Sequence, residues 1–162
     1  MSAIRQRLWW MPFALIVAFM LSAIPLPAMI SPFRPDWIAL VMIYIAIFTP
    51  QRWVLTTAMV AGLLLDVLQG TLLGQHPLAL MVCLYAPLKL HLRLTLVPIW
   101  QSMLATASAL ALYQFALFWC NGATGNELGL KAYLAPLVTG TLVWPLLLVG
   151  IDILRLERVN SD

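Results

Sequence analysis

A single carboxylate, that of Asp66, lies in an apolar stretch among glycines at four-residue intervals: Gly62, Gly70 and Gly74. On a helix this spacing drifts slowly around the axis and keeps the four residues near one face. A carboxylate at bilayer depth costs about 2.5 to 3.5 kcal/mol, so it should face protein, water or a partner. The pattern therefore indicates a partnered acid on a face where another backbone can approach closely.

Another interpretation of this stretch stays open. Asp66 would then be an interfacial residue near the end of a short helix that stops at Gly70. The segment from Gly70 to Pro77 would be a turn, with glycines supplying positive φ and Pro77 opening the next helix. Packing is favoured for Gly62, whereas turn and packing are equally favoured for Gly74.

A second polar group precedes an apolar run at Arg34, Pro35, Asp36 and Trp37. Pro35 restricts Arg34 to extended conformations, and Asp36 can cap the following helix and match its dipole. Trp37 suits the membrane interface. The tetrapeptide is interpreted mainly as a helix start, with an outer contact surface carrying a fixed charge pair as the alternative.

The sequence contains no recognisable catalytic or metal-binding set. It lacks a Ser-His-Asp order, paired carboxylates, a phosphate-binding glycine loop and an HExxH motif. His76 and His91 are predicted on opposite sides of the membrane, and Cys83 and Cys120 are isolated. The basic residues are scattered, which argues against nucleic acid as a partner. We expect neither an enzyme nor a cofactor, and a proton-coupled transporter would need more intramembrane ionisable groups than the one identified.

Membrane-spanning helices must position these residues. Of 162 residues, 63% are apolar and 9% charged, whereas about a quarter are charged in soluble domains. Several uncharged runs reach the roughly 20 residues needed to cross a bilayer, and no barrel-like alternation is present. The prediction is an all-α integral membrane protein, with residues 1–162 forming one compact six-helix transmembrane bundle. Its spans lie at about residues 9–29, 36–49, 53–69, 73–89, 97–120 and 132–152.

Charge distribution predicts the topology. Placing both termini in the cytoplasm puts most basic residues inside: Arg5, Arg7, Arg52, Lys89, Arg93, Arg155 and Arg158. Only Arg34 and Lys131 then fall outside, as the positive-inside rule expects. The first span is predicted to be retained rather than cleaved as a secretory signal. The second span is too short for the bilayer, so it must be extended, sheltered or located where the membrane thins. Residues 121–131 are predicted to form the external loop.

In combination, these motifs resemble the MreD family of rod shape-determining proteins. The resemblance rests on Arg-Pro-Asp-Trp at 34–37, Gly-x-x-x-Asp-x-x-x-Gly-x-x-x-Gly at 62–74, Trp144-Pro145 and a basic tail. It implies a multi-pass inner-membrane subunit of the bacterial elongation (Rod) complex, without accepted catalytic activity or cofactor. The implied partners in lateral peptidoglycan synthesis are the bitopic protein MreC, MreB, RodZ, RodA and its transpeptidase. The implied fold is related to the substrate-binding components of energy-coupling-factor vitamin transporters, with an outward pocket.

Two function hypotheses follow. In the first, Asp66, Gly62 and Gly70 line an outer-leaflet groove, supported by the helix start at 34–37, that receives the MreC transmembrane segment. In the second, the same pocket binds a small molecule or a lipid for a transporter. The polar residues available for recognition beside Asp66 are few for a vitamin: Gln69, Thr71, Gln75 and His76. A membrane lipid or a helix suits such a pocket better.

Overall fold

The computed structural model describes residues 10–25, 27, 33–49, 53–95, 97–123, 125 and 129–157. Within these ranges the chain forms six helices: α1 (Trp10–Ala23), α2 (Trp37–Phe48), α3 (Val54–Gln69), α4 (Gln75–Leu94), α5 (Ile99–Ala123) and α6 (Lys131–Glu157). The all-helical prediction is confirmed. Most helix bounds lie within a few residues of the predicted spans, but α1 ends at Ala23 because Pro25 disfavours a helical residue before it.

Length and composition separate the helices into two groups. The helices Gln75–Leu94, Ile99–Ala123 and Lys131–Ile153 are long and apolar enough to cross a membrane, whereas α1, α2 and α3 are shorter apolar helices. Six complete spans therefore remain a prediction. Four of the residues used for the topology, Arg5, Arg7, Arg52 and Arg158, lie outside the described residues, and so does the side chain of Arg155.

The short helix α2 lies at the centre of the molecule and contacts every other helix. Its 12 residues cover about 18 Å, which is well short of the hydrocarbon thickness. All ten residues from Ile38 to Ile47 are buried. Of the three predicted ways to accommodate a short second span, the structure therefore shows shelter by neighbouring helices. A helix that is buried all round is expected to be apolar all round, as this one is.

Consecutive helices alternate in direction, so polar contacts gather at two opposite ends. Toward the end that contains Asp66, the carboxylate of Asp36 at the start of α2 accepts a hydrogen bond from Gln114 in the second half of α5. At the opposite end, the Tyr44 hydroxyl of α2 donates to Asp152 of α6 over 2.6 Å. We call these the Asp66 end and the Asp152 end.

The seams between helices differ in tightness. Helices α3 and α4 meet backbone to backbone at Gly62. Helices α1 and α6 meet loosely and leave an apolar groove of about 430 Å³, floored by α2. Residues from all three helices line this α1–α6 groove, among them Phe13, Ala18, Trp37, Val143 and Gly150.

Candidate functional site

Asp66 lies in the last turn of α3, and its side chain is buried. The carboxylate accepts hydrogen bonds from the backbone N–H of Gly74 at 2.6 Å and of His76 at 3.1 Å. It also accepts one from the Thr71 hydroxyl at 3.1 Å. The first backbone N–H groups of a helix have no partner within that helix and favour negative charge. Asp66 therefore caps the start of α4 from the preceding helix.

His76 completes the environment of this carboxylate. Its Nδ1 lies 2.6 Å from Oδ1 of Asp66, and both side chains are buried. With Asp66 ionised, the histidine is the donor, since an ionised carboxylate only accepts hydrogen bonds. The imidazole also packs beside the Tyr113 ring, with centroids 6.4 Å apart. The turn thus brings a residue ten positions later onto the acid, which agrees with the prediction that Asp66 has a partner.

The three glycines around Asp66 play different parts. Gly70 and Gly74 have φ of +65° and +100°, and no atom of a described residue would lie within 4 Å of a Cβ at either position. They form the left-handed turn between α3 and α4, which settles the two interpretations of Gly74 in favour of the turn. Gly62 is a packing residue, because its Cβ would lie 2.5 Å from N and 2.6 Å from Cα of Pro77. The single glycine face predicted around Asp66 was wrong, since Gly70 lies beyond the helix.

This geometry changes the predicted partner surface. The chain's own α4 covers both Gly62 and the Asp66 carboxylate, so a second chain cannot contact them without parting α3 from α4. The turn itself remains accessible: Leu72 is 55% exposed and Leu73 is 71% exposed. Asp66 therefore acts as a positioning residue, and the exposed turn is the surface that it positions.

At the predicted helix start, residues 34–37, the polar side chains bond neighbouring helices instead of capping α2. Asp36 occupies the N-cap position, but its side chain makes no capping hydrogen bond. The carboxylate instead accepts a 2.5 Å hydrogen bond from Gln114 Nε2, which fixes the start of α2 to α5. Arg34 donates to the Leu21 carbonyl at 2.6 Å. Arg34 and Asp36 form no ion pair within 4.0 Å in the described part of the chain, although their charges interact electrostatically. The alternative of an outer contact surface at this segment stays a prediction.

The other two residues of this segment shape the entry to α2. The carbonyl of Pro35 accepts a hydrogen bond from the Trp37 backbone N–H at 3.0 Å. The Trp37 side chain is half-buried and lines the α1–α6 groove. It therefore packs beside α1 and α6 at the Asp66 end.

A further polar chain links three helices at the same end. Gln75 Nε2 donates to Asn121 Oδ1 at 3.0 Å, and Asn121 Nδ2 donates to the Tyr133 hydroxyl at 3.1 Å. These bonds join the start of α4, the end of α5 and the start of α6. Sequence reasoning missed them, although Gln75 and Asn121 both stand where an apolar run begins or ends.

The interpretation of the sequence also made no use of Asp152, the last residue of the last predicted span. Asp152 of α6 accepts the hydrogen bond from Tyr44 at the Asp152 end, and the Tyr44 ring packs edge-on against Trp10 with centroids 5.6 Å apart. The count of one intramembrane ionisable group stays a prediction, because Asp152 lies at the boundary of the last predicted span. The signal was available, since residue 152 falls in the last predicted span.

The described residues contain no cluster of three or more His, Cys, Asp or Glu side chains that could hold a metal ion. Cys83 and Cys120 are free thiols. The α1–α6 groove contains neither Asp66 nor His76. The polar residues at the Asp66 end form hydrogen bonds that fix helix ends and a turn.

A family model described as rod shape-determining protein MreD matches residues 3–151. The chain belongs to the MreD family. It is 31% identical over 90 residues to the rod shape-determining protein MreD of Haemophilus influenzae (strain ATCC 51907 / DSM 11121 / KW20 / Rd). That match covers 55% of this chain and 56% of the relative, so it spans about half of each protein. No solved structure matches the chain.

Family membership and the long apolar helices together identify a membrane protein of the rod shape-determining class. The Trp144-Pro145 pair that contributed to the resemblance has a structural role in the fold. Trp144 is fully buried in α6 and donates from Nε1 to the Ser102 hydroxyl of α5 at 2.9 Å. The relation to the energy-coupling-factor components stays a prediction.

Proposed function

We propose that this MreD-family chain is a non-catalytic scaffold subunit of the elongation (Rod) complex in the bacterial inner membrane. It binds MreC and helps to direct lateral peptidoglycan synthesis and rod cell shape, in company with MreB, RodZ, RodA and its transpeptidase. The observation that carries the proposal is that the Asp66 carboxylate is hydrogen-bonded within its own chain. Four donor groups of its own chain surround it, which favours a part in maintaining shape over a part in chemistry.

The multi-pass topology with both termini in the cytoplasm belongs to this proposal. Six alternating helices return the chain to the side from which it started. Trp10 at the start of α1 packs on Tyr44, which is bonded to Asp152 of α6, so the beginning of α1 and the later part of α6 lie at the same end. The Asp66 end then faces outward, toward the compartment where peptidoglycan is made. The partner surface of the proposal is therefore the exposed turn at Leu72 and Leu73, with Asp66, Gly70 and Gly74 holding its conformation.

The segment from Arg34 to Trp37 supports that surface from the other side of the bundle. Its hydrogen bonds to α1 and α5 fix the start of the central helix at the Asp66 end. A partner that docks on this end therefore meets a preformed surface. Preformed surfaces bind with a smaller loss of conformational entropy than mobile ones.

Co-purification with a tagged MreC-like protein from membranes tests the proposal. The informative variant is Leu72→Ser combined with Leu73→Ser, because both side chains are exposed and their loss leaves the Asp66 hydrogen bonds in place. Leu130→Ser is the matched control, since Leu130 is 67% exposed in the turn before α6 at the same end. We expect the double variant to lose most of its recovery with the partner and the control to keep it, at equal accumulation of all three chains.

Asp66→Ala is the second arm of this experiment. We expect it to reduce recovery of the partner by releasing the turn, even where the protein still accumulates. Normal recovery of both Asp66→Ala and the double leucine variant would place the partner surface elsewhere. Failure of the unaltered chain to recover the partner would contradict the scaffold function itself.

The competing function, a small-molecule or lipid-binding component of a transporter, has less support from the polar residues. Thr71, Gln75 and His76 are bonded within the Asp66 end and do not line the α1–α6 groove. A water-soluble ligand such as a vitamin needs convergent polar groups in its pocket. Thermal stabilisation of the detergent-solubilised chain by such a ligand would favour the transport function over the scaffold.

A further inference from the structure

The α1–α6 groove is a feature that the proposed scaffold function does not use. Its lining comes from Phe13 to Leu21 of α1 and from Val143 to Ile151 of α6, with Trp37 and Val41 of α2 at its floor. Each outer stretch spans eight residue steps, so the groove runs about 12 Å along the helix axes. Apart from the Trp37 indole, every lining side chain is apolar or a glycine.

The dimensions of the groove favour a slender occupant. The groove is about 12 Å long, which is about two turns of a helix. A partner helix that crosses the bilayer needs about 30 Å, so it would contact the groove over less than half of its length. A hydrocarbon chain is one methylene wide and can lie lengthwise in the groove. Hydrocarbon is also the solvent that surrounds an apolar groove open to the bilayer.

Charge differs between the two ends of the groove. At the Asp66 end, Arg34 donates one hydrogen bond to the carbonyl of Leu21, a lining residue. A guanidinium carries five N–H donors. The Asp36 carboxylate acts on this charge electrostatically, but no carboxylate of a described residue lies within 4.0 Å of it. At the Asp152 end, the lining residue Ile151 precedes the acid itself. An anionic group is therefore favoured at the Arg34 end alone.

We propose that the α1–α6 groove binds one acyl chain of an anionic phospholipid, with the lipid phosphate on Arg34 beside Trp37. Arginine is suited to this contact because its planar fork binds phosphate through two parallel hydrogen bonds. A tryptophan lining the same end matches the headgroup level, where indole rings concentrate. The lipid then fills the seam that the protein's own side chains leave open.

The chain offers a clean way to fill the groove. Gly150 lines it, and among the described residues no atom outside its own stretch of helix lies within 4 Å of the position where a Cβ would stand. Gly150→Leu therefore adds its Cβ to open groove space. Gly122→Leu is the matched control, because Gly122 is also helical and exposed, has no atoms within 4 Å of its Cβ position and lies outside the groove.

Native mass spectrometry of the full chain in detergent tests the proposal, with phosphatidylglycerol and phosphatidylcholine of identical acyl chains as probes. We expect the unaltered chain to retain one phosphatidylglycerol several-fold more strongly than phosphatidylcholine, because the choline cation of the second lipid offsets the phosphate charge near Arg34. Gly150→Leu should lower retention of both lipids by about tenfold or more, and Gly122→Leu should change neither. Equal retention by the two glycine variants would overturn the groove assignment.

The headgroup contact is tested separately. Arg34→Gln keeps N–H donors for the Leu21 carbonyl but removes the charge, so the preference for phosphatidylglycerol should vanish while acyl binding persists. Arg34→Lys should keep part of the preference. An unchanged preference in Arg34→Gln would overturn the phosphate contact. A chain that retains no phospholipid, yet loses its MreC-like partner on Gly150→Leu, would have a helix-docking groove instead, and the lipid assignment would be wrong.

Discussion

The seam between α3 and α4 is closed, whereas the seam between α1 and α6 is open, although small residues line both. At the first seam Gly62 lets the backbone of Pro77 approach to within contact distance. At the second, Ala14, Ala18 and Gly150 line a groove of about 430 Å³. Small residues permit close packing of membrane helices, but here they do not suffice to produce it.

Connection and hydrogen bonding explain the difference. Helices α3 and α4 are joined by the short turn 70–74, and the Asp66 carboxylate bonds the start of α4 directly. Helices α1 and α6 stand near opposite ends of the chain, and no hydrogen bond joins their described residues. Closing a short loop costs little conformational entropy, and polar groups without water strongly favour a partner. The polar turn thus closes one seam, and the other depends on apolar packing alone.

Gly62→Leu should break the closed seam and gives the largest effect expected. The new Cβ would lie within 3.0 Å of Pro77 backbone atoms, which cannot move without shifting α4. We expect a loss of about 3 kcal/mol in the free energy of unfolding, as overpacking of a close contact produces. Thermal unfolding in detergent measures this loss. Gly122→Leu is the control, and similar stabilities for the two variants would show that α3 and α4 are not in backbone contact at Gly62.

Asp66→Ala should loosen the same seam by a smaller amount. The substitution leaves the Gly74 and His76 backbone N–H groups without their acceptor at the start of α4. Removing a charged acceptor costs about 2 kcal/mol. Asp66→Asn keeps one side-chain oxygen, so it should recover part of the loss in the same unfolding measurement. A stability equal to that of the unaltered chain would mean that water replaces the carboxylate at this turn.

Gly70→Ala tests the turn conformation rather than its hydrogen bonds. Gly70 adopts φ of +65° in open space, so an added methyl group meets only backbone strain. A left-handed residue other than glycine costs about 1 kcal/mol. Gly70→Asn should cost less, because asparagine tolerates this conformation better than alanine does. Equal unfolding temperatures for Gly70→Ala and the unaltered chain would contradict the left-handed turn.

Part of this closed seam was predictable from sequence, and the reasons are local. An acid in an apolar stretch needs a partner, and glycines before a proline favour a turn, so Asp66 and the segment 70–77 could both be singled out. The identity of the partner was not predictable, since it depends on how the turn places His76. The contact of Asp36 with Gln114 was still less accessible, because 78 residues separate them and only the assembled bundle brings them together.

The open seam between α1 and α6 could not be predicted from sequence. The groove exists because two apolar helix faces, far apart along the chain, do not pack closely, and no local motif records that. The central position of α2 could be predicted from sequence only in part. Its length limited the choices to extension, shelter or a thin membrane, and its uniform apolarity agrees with shelter, but only the packing of all five neighbours decides the matter.

Gly150→Leu sharpens the comparison from the open side and should have the smallest effect on stability. The Cβ that collides with Pro77 at Gly62 meets no atom of a neighbouring described residue within 4 Å at Gly150. We expect a change in the free energy of unfolding within about 0.5 kcal/mol, as for surface substitutions. The unfolding measurement should be made in lipid-free detergent, because a bound lipid adds its own stabilisation by mass action. A loss as large as that of Gly62→Leu would show that α1 and α6 close against each other in solution. Phosphatidylglycerol should stabilise the unaltered chain but not Gly150→Leu. A difference between the two that is small without lipid and grows when the lipid is added would therefore show that the bound lipid supplies stability at this seam.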